Sequence, residues 1–257
     1  MSHLVNTLRE RLTPALFAGA ALASFALTLG QAEGSNVELG PDEAPILVEL
    51  FTSQSCSSCP PAEAYFADLA TDPSLVVIEW HVDYWNALVH GGDGSWVDPF
   101  SSEAHTERQR QYAQSLFGNN RVYTPQAIVA GAADAVGSDK SAVQRAIADA
   151  PAATARVSVD PIDDKLLATI EPRIGDETDA DGADIVFVRL KPRQTTAVRG
   201  GENKDQVLSS ANIALETVRL GEWTGRTAVF EAPAPSAGET CAIFVQTPEK
   251  ILGAAYC

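Results

Sequence analysis

Two cysteines, Cys56 and Cys59, flank Ser57-Ser58 and stand directly before Pro60-Pro61. Thiols at this spacing close a small disulfide ring with little backbone movement. The thiolate is the attacking species in disulfide exchange, so such a pair is a redox centre wherever one sulfur is held ionised and within reach. The following residues supply a setting for it. Ala62, Tyr65, Phe66 and Leu69 recur at i, i+3, i+4 and i+7, one face of a helix. Cys59 fits the N-cap of that helix with Pro60 at its first position, since a proline one turn further in would remove an intrahelical bond. Cys56 then lies one short turn upstream, where the positive helix end favours its thiolate only modestly. Cys56 on the loop side is the expected nucleophile, and the more enclosed Cys59 is the expected resolving thiol. The same pair without chemistry is an inert cross-link. Zinc would need two further close ligands, which the sequence does not supply.

Three further groups could serve this chemistry. Thr124-Pro125 opens an apolar strand. A proline there can be cis, and it leaves the preceding backbone open to pairing with a passing substrate chain. Glu49 is a lone carboxylate in the apolar run Ile46–Phe51; buried, it would be fitted to shuttle a proton, and on a strand edge it would face water. His81 and Asp83 alternate onto one side after a second apolar run and could orient a substrate, hold a metal with the thiols, or simply contact each other. His90 and His105 lie in polar stretches and are read as solvated. Cys241 and Cys257 have another explanation. A hairpin that pairs Gln246 with Leu252 also sets Cys241 opposite Cys257, which predicts a structural disulfide pinning the chain end; a second redox centre is the alternative.

The elements that must position these residues follow from periodicity. Ile46–Phe51, the Cys59-capped helix and Leu75–Trp80 make a β-α-β unit, hence a parallel pair with a right-handed crossover. Residues 84–120 are less regular, with Asp98-Pro99 a helix start and a mostly exposed helix after it. Gln126–Val129 and a short strand to Val136 form a hairpin, and Val143, Ala146, Ile147 and Ala150 mark a helix capped by Ser138 or Ser141. Beyond Pro151 short Val/Ile/Phe runs alternate with Gly, Pro and Asp: Arg156–Asp160, Leu166–Ile170, Ile185–Leu190, Ala228–Glu231 and Ala242–Gln246. These read as an all-β sandwich or a β extension of the first unit. The expected organisation is a signal peptide over 1–32, a leader over 33–44, an α/β domain over 45–151 and a C-terminal β domain over 152–257.

The signal peptide rests on Arg9 and Arg11, an apolar run from Ala15 to Leu29, and small residues at Gly30 and Ala32, with cleavage expected after Ala32. Export to the periplasm or beyond makes disulfides of the four cysteines natural. A net charge of −16 argues against nucleic acid and anionic lipid as partners.

The order strand, Cys-Ser-Ser-Cys, helix, strand, Thr-Pro, hairpin, helix resembles the thioredoxin superfamily over about residues 45–150. Glu49-Leu50-Phe51-Thr52-Ser53-Gln54, Cys56–Ala62, His81-Val82-Asp83-Tyr84-Trp85, Asp98-Pro99-Phe100 and Tyr123-Thr124-Pro125-Gln126 are similar to a secreted bacterial family classed as a domain of unknown function. The resemblance implies a thioredoxin-like domain, Cys56 and Cys59 as nucleophilic and resolving thiols, and Pro125 in a cis-proline place. The chain lacks the Trp before the first cysteine and the Gly-Pro between the two, so neither potential nor substrate carries over. The function expected is that of an exported thiol–disulfide oxidoreductase acting on protein or small-molecule disulfides and thiols, with no cofactor and no resident metal. The alternatives are a Cu(I) or other soft-metal carrier using the two thiolates, with or without His81 as a third ligand, and a non-catalytic binding or adhesive module.

Overall fold

Continuous Val, Ile and Leu runs suit strands buried on both faces, and the runs at Ile46–Thr52 (β1) and Leu75–His81 (β2) pair in parallel, Ile46 beside Leu75 through Thr52 beside His81. The structure is a computed structural model and describes residues 44–88, 96–173 and 182–257. The expected signal segment and its cleavage point, all of the leader except Ala44, and His90 lie outside the described residues.

Between β1 and β2 runs α1 (Pro60–Leu69), with Cys59 as N-cap and proline in the first two positions, as the sequence implies. The 84–120 stretch holds α2 (Tyr84–Leu88) and α3 (Glu103–Phe117). Asp98 does not start a helix: Ser102, in extended conformation, caps α3 by accepting from Ala104 N–H, and Asp98 is used in the interior instead. A hairpin of β3 (Gln126–Val129) and β4 (Ala133–Val136) follows, then α4 (Lys140–Ala148). Asp139 caps α4, in place of either serine, through a 2.9 Å bond from Ala142 N–H.

The strand-rich half comprises β5 (Ala155–Ile162), β6 (Lys165–Pro172), β7 (Ala183–Ala197), β8 (Val207–Trp223), β9 (Ala228–Pro233), β10 (Thr240–Gln246) and β11 (Ile251–Tyr256). Four of these join the first four strands in one eight-stranded mixed sheet of order β11-β10-β7-β8-β2-β1-β3-β4, and β5-β6-β9 form a separate three-stranded sheet. The large sheet thus runs straight across the boundary expected at Pro151, and the small sheet packs on its outer strands as one layer of a sandwich. The architecture is mixed α/β with few helices and much strand.

Side-chain alternation assigns the two faces of the large sheet. Leu47, Phe51, Ile78, Trp80, Val188 and Phe244 pack on one face with Tyr112 of α3. On the other face Val48, Leu50 and Val77 pack with Ala62, Tyr65 and Phe66 of α1. Further along that second face, Ile185, Phe187, Ile243 and Val245 meet Ala155, Ala168 and Ile170 of the small sheet. The seam between the halves is narrow. β8 pairs with β2 in parallel at Glu79 and Ile213, and the Tyr256 hydroxyl lies against it, accepting from Val77 N–H (2.7 Å) and Asn212 Nδ2 (2.8 Å) and donating to Val77 C=O (3.0 Å).

Candidate functional site

The chain leaves β1 at Thr52 and makes two tight turns, Cys56 N–H to Ser53 C=O (3.1 Å) and Cys59 N–H to Cys56 C=O (3.2 Å). These turns bring Cys56 and Cys59 to 5.5 Å between Cα atoms, joined as a disulfide. Cys59 C=O accepts the first helical bonds of α1, from Ala62 and Glu63. The sulfur of Cys56 has the Ser58 hydroxyl at 3.3 Å. Ser57 and Ser58 are exposed, yet both cysteines are 0% exposed. Cys56 on an open loop side is therefore corrected: it is as enclosed as Cys59.

Part of the cover comes from the connection between β7 and β8. Glu202 N–H donates to Ser55 C=O (3.1 Å), and the Glu202 carboxylate accepts from Ser57 N–H (2.9 Å) and the Ser57 hydroxyl (2.7 Å). Those bonds, the hydroxyl first, hold the Glu202 carboxyl below its usual pKa. Asn203, buried, donates from Nδ2 to the carbonyls of Gln54 (3.0 Å) and Cys56 (2.8 Å). Gly201 has φ +74° and lies so close to Ser55 that a Cβ on it would come within 2.8 Å of the serine side chain.

A cluster of buried ionisable groups lies on the α1 face. Glu63 is one helical turn beyond Cys59, on the same face of α1, and accepts from the Thr52 hydroxyl at 2.6 Å. Glu79 and His81, two apart on β2, are fully buried with His81 Nε2 4.0 Å from Glu79 Oε2. The Nδ1 of His81 is 2.8 Å from Asp98 Oδ2, and Asp98 also accepts from Gln54 N–H (2.8 Å) and Phe100 N–H (3.0 Å). Burial pushes Glu63 up, against the His81 charge and the Thr52 hydroxyl. Burial, then repulsion from Glu63, pushes Glu79 well up, against the Ala211 N–H. For His81, burial favours the neutral ring, but the Asp98 charge and hydrogen bond together outweigh it and raise the pKa. For Asp98, burial is likewise outweighed by His81 and two backbone N–H groups, and its pKa is lowered. Gln54 Nε2 and Oε1, Ser55 Oγ, Glu79 Oε1 and His81 Nε2 are buried with no hydrogen-bond partner among the described residues. Other buried polar atoms without a partner, such as Trp80 Nε1 and Gln126 Nε2, lie elsewhere, but here they stand beside acids with shifted pKa values, an association that makes this cluster a candidate site.

The remaining sequence candidates are placed as follows. Glu49 neither faces water nor lies toward the dithiol. It is on the α3 face, fully buried, with Arg108 Nε at 2.6 Å and the Tyr112 hydroxyl as donors, and Arg108 extends to Gln246 (2.9 Å). Asp83 takes the Thr106 hydroxyl at 2.5 Å, so it and His81 serve different partners. Thr124 Oγ accepts from Trp85 Nε1 at 2.7 Å. The Thr124–Pro125 bond is cis. Pro125 is buried, and its C=O accepts from Gly137 N–H (2.9 Å). A Cβ on Gly137 would meet both Pro125 and Ala62 at 3.3 Å, which sets Pro125 beside the first turn of α1. His105 is not solvated: it is buried, its Nδ1 2.9 Å from His81 C=O, and burial lowers its pKa to about 4. The Cys241–Cys257 disulfide is present, with Cα atoms 5.2 Å apart. The hairpin register differs by one at its far end, Gln246 pairing with Ile251 across a bulge.

Glu63, Glu79, Asp98 and the 198–206 tip are absent from the sequence candidates. For Glu63 a signal existed, its i+4 spacing from Cys59. For Glu79 it was the shared parity with His81. Among the described residues no three His, Cys, Asp or Glu side chains are grouped to hold a metal ion.

The chain is similar to two solved structures. An X-ray structure of protein AGR_C_4864 from Agrobacterium tumefaciens is 28% identical, with a TM-score of 0.70 over 84% of this chain and 95% of that one. HBP35 of Porphyromonas gingivalis is 14% identical, with a TM-score of 0.51 over 85% of this chain and 76% of that one, a likeness of fold alone. Comparison with curated proteins gives no match. The family model described as "Protein of unknown function (DUF1223)" matches residues 47–246, which takes in the dithiol, the buried acids and the tip bonded to the dithiol loop, and the chain belongs to that family.

Proposed function

We propose that the protein is an exported thiol–disulfide oxidoreductase built on a thioredoxin-like arrangement of β1, α1, β2 and the Pro125 strand. The observation that carries this reading is the placement of the Cys56–Cys59 disulfide at the amino end of α1 beside Glu63, Glu79, His81 and Asp98, all buried. Burying several ionisable groups costs stability, and a plain cross-link has no use for them. Cys59 as N-cap and Pro125 beside the first turn of α1 support the reading. Export is supported by the charged, apolar and small-residue order of residues 1–32.

The chemistry is exchange. A client thiolate attacks Cys56 Sγ, the Sγ–Sγ bond breaks, and Cys59 departs with the electron pair. A second client thiol then displaces Cys56, so the client leaves as a disulfide and the protein holds two thiols; the steps run in either direction. The departing Cys59 sulfur needs a proton when it leaves and must lose it when it attacks. Glu63 is the group set to exchange it, one turn away on the same helix face and held toward its protonated form by burial. Glu79 and His81 stand behind it as proton reserve.

Expressing the full chain with Cys59→Ser in a periplasm tests the reading. A mixed disulfide between Cys56 and client proteins, lost when Cys56 is also replaced by Ser, is expected. The burial of both sulfurs favours a second reading, a static cross-link. That reading is upheld, and the first overturned, if no adduct forms and the wild-type bond is reduced only when the whole protein unfolds.

A further inference from the structure

We propose that the backbone of Ser55–Ser57 is the docking strip for the polypeptide that exchanges disulfides with Cys56, and that the β7–β8 tip occupies this strip as an internal competitor which a client must displace. The proposal rests on the oxidoreductase reading above.

The tip does on the strip what an extended client would do. Its main chain bonds the strip's main chain, Glu202 N–H to Ser55 C=O, the mode by which an extended peptide adds to exposed backbone. An acidic side chain takes the Ser57 N–H and hydroxyl, and a carboxamide takes the carbonyls of Gln54 and Cys56. Gly201 permits the approach, since any side chain there would strike Ser55. A client that fits the same groups is a polypeptide offering a backbone N–H and a carboxylate from one acidic residue, as Glu202 does.

The arm carrying the tip is suited to leave. β10 pairs with β7 over Asp184–Leu190, short of the arm. The β7 segment Arg193–Ala197 therefore pairs with β8 residues Val207–Ala211 as a two-stranded ribbon, and β2 joins β8 at its base, at Ile213. Such a ribbon is marginal in water without further support. That support comes from Leu208, Ser210 and Ala211, which are buried, and from the bond of Ala211 N–H to Glu79 at 3.2 Å. The tip itself is fixed by polar bonds to the strip, which a competing chain can replace, and by the burial of Val198, Gly201 and Asn203, which it must undo.

The test is reduction of the oxidised full-length protein by dithiothreitol. One dithiothreitol thiolate attacks Cys56 Sγ and expels Cys59. Its second thiol then displaces Cys56, leaving cyclic oxidised dithiothreitol and two protein thiols. Alkylation and peptide mapping follow the two disulfides separately. In the wild type the Cys56–Cys59 rate is expected to level off with rising dithiothreitol, limited by departure of the tip. Glu202→Gln, an exposed change that leaves the fold intact, and Asn203→Ala should each raise the rate roughly tenfold, the loss of one to two hydrogen bonds. Cys241–Cys257 should not respond. In these variants, a synthetic peptide of residues 199–206 at millimolar concentration should slow reduction again by covering the strip in trans. Rates that stay linear in dithiothreitol and equal in the variants overturn the proposal, as does a peptide without effect on a faster variant. Reduction of both disulfides together, in step with urea unfolding, overturns the oxidoreductase reading itself.

Discussion

On the α3 face of the large sheet, Glu49 meets Arg108 at 2.6 Å and the Tyr112 hydroxyl, and Arg108 lies about 5 Å over the rings of Trp80, Tyr112 and Phe244. On the α1 face, Glu63 and Glu79 are buried with a hydroxyl, one amide N–H and an imidazole 4.0 Å away. The first arrangement is a satisfied ion pair that ties helix to sheet. The second holds acids short of partners and pushes their pKa values upward. One sheet thus separates a fully paired charge from acids left short of partners, and the dithiol lies at the end of the helix on the second side.

The separation can be broken from either side. The largest effect is expected for Arg108→Leu, which strands Glu49 as an unpaired buried carboxylate and should cost about 3–5 kcal/mol in urea unfolding at pH 7. A cost below about 1 kcal/mol would erase the distinction between the faces. Glu79→Gln should act in the opposite direction. A carboxyl whose pKa is raised by folding gives stability that is complete below its unfolded value near 4.5 and is lost as pH rises through the folded value. The glutamine variant should therefore match wild type near pH 4 and exceed it by about 1–3 kcal/mol at pH 8. A variant less stable at pH 8 would mean that Glu79 is a structural acid like Glu49. The smallest effect belongs to His81, whose pKa is also raised by folding. Its contribution is full below 6.5 and fades as pH rises through the folded value, so Glu79→Gln should still lose about 1 kcal/mol between pH 6 and 9. Thermal melts across that range, with His81→Gln in the same background as the flat reference, measure it. Asp98 runs the other way: its lowered pKa gives stability above 3.8 that is lost as pH falls through the folded value.

Much of the frame was legible because its signals are local. Pro60 after Cys59 fixed the helix start, the apolar runs gave β1, β2 and β3, and equal offsets of the two cysteines from the expected Gln246–Leu252 pair gave the Cys241–Cys257 pairing. The misses share one cause, that local patterning does not tell which distant group arrives. Glu49 looked like a proton shuttle because nothing nearby in sequence reveals Arg108. His105 and Gln109 looked solvated because polar residues usually are, yet the interior supplies them with His81 C=O, Gln126 and Tyr123 C=O. Asp98 read as a helix cap, the commonest use of Asp-Pro, while its real donors include the N–H of Gln54, far back in the chain. The sequence left a separate sandwich and a β extension of the first unit both open, and the strands divide between the two, because alternating strands carry no label for the sheet they join.

The Tyr256 hydroxyl bonds both main-chain groups of Val77 next to the point where β2 meets β8. β2 is thus held by a side chain 179 residues further along the chain. Contacts of such long range slow folding, because the intervening loop must lose its freedom before the bond can form.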